Sequence, residues 1–119
     1  MSAWTIGEGV FASWDGTKLF YRFWKPLVAS DKALILIHRG HEHSGRLDEP
    51  FRRLQLNDCW GFAWDARGHG HSPGERGYAP TFDYLVRDLD TFVKYVSRHY
   101  QIPVGNMAIV SNSVGSVVA

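Results

Sequence analysis

The sequence predicts an α/β fold, a mostly parallel sheet flanked by helices, and three observations carry that reading. Short apolar runs without alternation occur at 33–38 (ALILIH), 60–65 (WGFAWD) and 107–111 (MAIVS), the pattern of strands buried on both faces of a parallel sheet. The stretch after Thr81 repeats apolar residues at helical spacing. Strand and helix alternate in the order that parallel neighbours need for their crossovers.

The chain opens with GVFASWDGTKLFYRFWKP at 9–26, two aromatic and β-branched runs divided by Asp15-Gly16. That dipeptide suits positive φ, so the stretch predicts an antiparallel hairpin. ALILIH follows as the first buried strand, then the glycine-containing loop RGHEHSGR, then a short helix in LDEPFRRLQL. WGFAWD is the second buried strand and runs into the glycine-rich loop ARGHGHSPGERGYAP. In the next helix Phe82, Leu85, Val86, Leu89, Phe92, Val93 and Val96 form the apolar face, with arginine, lysine and aspartate opposite. Thr81 suits its N-cap, Asp83 suits the positive end of its dipole, and the helix is predicted to end near Tyr100. Pro103 and Gly105 break the chain before MAIVS, the third buried strand. Three strand ends, at His38, Asp65 and Ser111 to Ser113, fall at the carboxyl edge of the sheet, where open α/β sheets bind ligands.

Composition narrows the function. In 119 residues, 45% hydrophobic and 14% aromatic content supports one packed domain. Thirteen basic and twelve acidic residues give a net charge of +1, which offers no field for nucleic acid or an anionic membrane. A small-molecule partner is expected. The single cysteine, Cys59, excludes an internal disulfide and reads as a small buried residue. MSAWTIGEGVF has neither a basic start nor a signal-length apolar core, and no apolar run approaches the roughly 20 residues that cross a bilayer. The expectation is a soluble, cytoplasmic protein. Trp4, Trp14, Trp24, Trp60 and Trp64 sit in or beside strands and are expected in the core.

The chemistry concentrates at residues 111–115, SNSVG. A hydroxyl becomes an effective nucleophile when it is exposed, set beside a base and faced with donors for an oxyanion. A sharp strand-to-helix turn supplies the exposure, with small residues two before and two after the serine, and here Ser111 and Gly115 flank Ser113 in an S-x-S-x-G version of G-x-S-x-G. The plainer reading, that Ser113 caps an ordinary helix, fits this stretch alone equally well.

The two loops separate these readings. HRGHEHSGRL at 38–47 and DARGHGHSPGERG at 65–77 resemble two landmarks of the α/β-hydrolase superfamily, specifically its monoacylglycerol lipase and lysophospholipase-like group in the serine aminopeptidase S33 family. That group carries an HG-x-G-EHSGRY-like segment after its third strand and a D-x-x-GHG-x-S-x-G-x-RG-like segment after its fourth. The resemblance covers nearly the whole chain and implies the amino-terminal half of an α/β-hydrolase fold. It also implies Ser113 as nucleophile, with the backbone N–H groups of Gly40 and Val114 as the oxyanion hole. Arg39 and Ser111 stand where the family usually has glycine. The implied activity is hydrolysis of a carboxylic ester, such as a monoacylglycerol or lysophospholipid, through an acyl-enzyme. An S33-type peptidase and a non-catalytic binding or scaffold module are the alternatives.

His38, His41, His43, His69 and His71 invite a zinc reading, yet Gly45 and Arg46 stand where an H-x-H-x-D-H pattern needs Asp-His. No metal is expected. Gly68, Gly70 and Gly74 follow a strand, but Pro73 and the stretch to Pro80 delay the helix that a dinucleotide loop must open at once. No cofactor is expected either, and Asp65 and Arg67 read as structural.

In this superfamily the triad runs Ser, then Asp or Glu, then His. After Ser113 the chain holds only Val, Gly, Ser, Val, Val and Ala. The expectation is therefore that 1–119 is a partial domain cut just after the nucleophile elbow, close to inactive alone. An open sheet edge that favours self-association is also expected.

Overall fold

In the computed structural model, residues 4–37, 51, 58–65, 72 and 82–111 are described. They form β1 (Trp4–Ala12), β2 (Lys18–Pro26), β3 (Ala33–Ile37), β4 (Trp60–Trp64), α1 (Phe82–Tyr100), a 3-10 turn (Val104–Asn106) and β5 (Met107–Ser111). The five strands make one sheet in the order β1-β2-β4-β3-β5. β4 and β5 flank β3 in parallel, and β1 and β2 add an antiparallel hairpin beyond β4.

The hairpin forms as the sequence predicts, with a wider loop. The Gly16 N–H donates to Ser13 O at 2.9 Å, closing a turn, and Gly16 takes φ 85°. The Ser13 N–H then donates to Thr17 O at 2.8 Å, and the Asp15 carboxylate accepts from the Thr17 N–H at 3.1 Å. This is a turn followed by a left-handed glycine, the three-residue hairpin connection. Along β1, Gly7 and Gly9 lie opposite Phe23 and Tyr21, and those rings lie across the glycines where side chains would otherwise stand.

Both faces of the central strands are covered, which explains why β3 is buried throughout. On one face α1 packs Leu89, Phe92 and Val96 against Phe11, Leu19, Tyr21, Ile35, Phe62 and Trp64. On the other, Phe51, a helical residue in the segment after β3, stacks on Trp24 with centroids 5.0 Å apart and meets Trp4 edge-on. Gly61 allows that approach, because a Cβ there would lie 2.5 Å from the Phe51 ring.

The amino-terminal ends of the parallel strands are tied together. The Trp60 backbone N–H donates to Lys32 O at 3.0 Å, the Trp60 indole N–H to Ser30 O at 3.3 Å, and Asn106 Nδ2 to Asp31 O at 3.2 Å. Ser30 Oγ donates to Asp58 O and accepts from the Lys32 N–H. One short segment before β3 therefore sets the starting level of all three strands.

Helix α1 ends at Tyr100 as the spacing predicts. Gln101 takes φ 58°, and the Ile102 N–H returns to Ser97 O at 3.2 Å, the six-to-one bond of a Schellman cap. Glycine usually fills that left-handed position. Here burial of Ile102, 1% exposed, supplies the apolar contact that holds the cap closed.

Three expectations need correction. β5 is a strand but not a buried one: Ala108, Ile109 and Val110 are exposed, because β5 ends the strand order and pairs only with β3 among the described residues. Asp88 lies on the buried face of α1 at 1% exposure, where Ser13 Oγ donates to its Oδ1 at 2.5 Å, while Val86 is exposed. The helix register places Asp88 one position before Leu89, so the apolar spacing alone assigned it to the wrong side. Trp14 is exposed rather than in the core; it meets Tyr84 edge-on and carries the Arg87 guanidinium 4.8 Å above its ring. The other four tryptophans are buried or half-buried. Thr81 and the LDEPFRRLQL helix other than Phe51 lie outside the described residues.

Candidate active site

The parallel register brings the carboxyl ends of β4, β3 and β5 to one edge of the sheet. Leu36 is level with Ala63, and Ile37 is level with Ser111. Neighbouring strands lie about 4.8 Å apart, so the three exits fall within about 10 Å. Each exit leads into one of the three sequence motifs. HRGHEHSGRL begins one residue after Ile37, DARGHGHSPGERG begins at the end of β4, and Ser113 follows Ser111 by two positions. Ser113, Gly40 and Val114 lie outside the described residues, as do His38, His41, His43, His69, His71, Arg39 and Arg67.

The exit from β4 is described in detail. The β2–β4 ladder pairs Tyr21 with Trp64, and the Asp65 N–H donates to Phe20 O at 2.8 Å, which extends the ladder one step. The reciprocal bond is made through a side chain. The Phe20 N–H donates to Ser72 Oγ at 3.0 Å, and Ser72 Oγ donates to Asp65 O at 2.5 Å. A hydroxyl thus inserts into the ladder where a direct N–H to carbonyl bond would stand. Ser72 is 2% exposed and Asp65 is fully buried, so the Asp65 carbonyl has no water as a substitute partner. This bridge ties Ser72 to the sheet at both Phe20 and Asp65. The Asp65 backbone is thus held to the sheet through both its N–H and its carbonyl.

Sequence reasoning singled out neither this Ser72 bridge nor a tyrosine cluster behind the sheet. The Tyr21 hydroxyl lies 2.6 Å from that of Tyr100 and 3.0 Å from that of Tyr95. Burial, then the Tyr100 hydrogen bond, pushes Tyr21 up to about 12, and burial raises Tyr95 and Tyr100 as well. The spacing of Tyr95 and Tyr100 on α1 was a usable signal, since it places both beside Val96 and Phe92 on the packed face. Cys59 is buried as expected, and burial followed by the Asp58 charge pushes its thiol up, away from reactivity. No described helix is long and apolar enough to cross a membrane.

The chain has counterparts among known proteins. Residues 29–119 match the family described as serine aminopeptidase, S33. This chain belongs to that family. It is 44% identical over 113 residues to the uncharacterized protein YnbC of Escherichia coli, covering 94% of this chain and 19% of that protein. It is 40% identical over 107 residues to the monoglyceride lipase of Rattus norvegicus, covering 88% of this chain and 34% of that protein. The chain therefore spans about a fifth and about a third of these two relatives. In fold it matches acetyl xylan esterase from Paenibacillus sp. R4 with a TM-score of 0.79 at 18% identity, covering 100% of this chain and 44% of that one. The architecture is that of α/β hydrolases, and the S33 family chain described here contributes a five-stranded part of such a sheet.

Proposed function

We propose that the protein containing this S33 chain is a serine hydrolase of carboxylic esters, with Ser113 as nucleophile and the Gly40 and Val114 N–H groups as oxyanion donors. The observation that carries the reading is the level carboxyl edge of β4, β3 and β5, from which the three motifs depart together. In the proposed reaction Ser113 Oγ attacks the ester carbonyl, its proton passes to a histidine base, and negative charge gathers on the former carbonyl oxygen between the two amides. Collapse expels the alcohol, which takes the proton from the histidine, and water then hydrolyses the acyl-enzyme by the same steps in reverse order. Neither an acid nor a histidine follows Ser113 within these 119 residues. The chain spans about a third of the monoglyceride lipase relative, so turnover is assigned to the whole protein, and the 119-residue chain alone is assigned little activity.

The relative named monoglyceride lipase supports a monoacylglycerol as the substrate class, and the family description supports an amino-terminal peptide bond as the competing one. A fluorophosphonate probe tests the nucleophile in the longer protein. Labelling is expected in the parent sequence and absent in Ser113→Ala, with ester turnover reduced about 10⁴-fold or more. Labelling that survives Ser113→Ala overturns the assignment. Faster release from an aminoacyl arylamide than from a monoacylglycerol favours the peptidase, and a folded protein that neither labels nor turns over either substrate favours a binding module.

A further inference from the structure

We draw no further inference here: the strongest candidate, the exposed aromatic patch of Trp14 and Tyr84 beside Arg87, where the β1–β2 turn meets the start of α1, carries nothing because nothing in the structure shows what covers it.

Discussion

β4 and β5 are close analogues in sequence and opposites in environment. Both are short apolar strands, both run parallel to β3, and both lead directly into a motif at the carboxyl edge. In β4, Phe62 and Ala63 are fully buried and Trp64 is 3% exposed, because β2 and β3 flank it, α1 covers one face and Phe51 the other. In β5 the equivalent apolar run faces outward. The difference teaches that an apolar run specifies a strand, while the position of that strand in the sheet decides whether its side chains are worth anything to stability. Burial is a property of neighbours, and among the described residues β5 has few.

The sharpest way to break this comparison is paired truncation. Phe62→Ala is expected to cost about 3–5 kcal/mol, since it removes a ring packed against Phe92, Trp60 and Tyr100 and leaves a cavity between sheet and helix. Ile109→Ala is expected to cost less than about 1 kcal/mol, because its side chain is already partly exposed to water. Urea unfolding followed by circular dichroism gives both values. Comparable losses at the two sites would mean that β5 is as deeply packed as its sequence suggested.

That sequence error is instructive beside what was legible. The strands, the helix, their parallel order and the site edge follow from local patterns, because a doubly covered strand must be apolar on both faces and a packed helix must be apolar at its own period. Ala33 to Ile37 and the Leu89, Phe92, Val96 stripe meet both conditions. Local pattern carries no strand order, so it could not place β5 at the edge. Nor could it find polar groups whose partners are distant in the chain. Ser13 and Asp88 are 75 positions apart, and Phe20 and Ser72 are 52 apart. Within the candidate site, the edge was readable and the Ser72 bridge at the β4 strand end was not.

That bridge gives the next test, at the same β4 end. Ser72→Ala removes the hydroxyl that accepts from the half-buried Phe20 N–H and donates to the buried Asp65 carbonyl, leaving both backbone groups without this partner. The expected loss is about 1–3 kcal/mol. Hydrogen exchange sharpens the reading: the Phe20 amide is expected to lose protection in the variant, while the amides of β5 keep theirs. A variant whose Phe20 amide stays as protected as before would show that the direct ladder bond to Asp65 can form without the hydroxyl.

The smallest effect at neutral pH sits one residue along the same ladder, at Tyr21, which pairs with Trp64 and points at α1. Its folded-state pKa is raised from 10.0 to about 12 by burial and by the Tyr100 hydroxyl. Because the raised value means that the folded chain holds its proton more tightly, the unfolded chain binds fewer protons above pH 10, and stability falls as pH rises. The contribution is whole below about pH 10 and is lost through the interval up to about 12, with Tyr95 and Tyr100 shifted in the same direction. Urea midpoints measured across that interval are expected to decline steeply in the parent chain and less so in Tyr21→Phe, whose ring still packs but has no proton to release. Ile109→Ala touches no titrating group and is expected to follow the parent slope. A parent chain whose stability is level from pH 9 to 12 would mean that the three hydroxyls ionise as easily in the fold as in water, and that the helix beside β4 is held by ring packing alone.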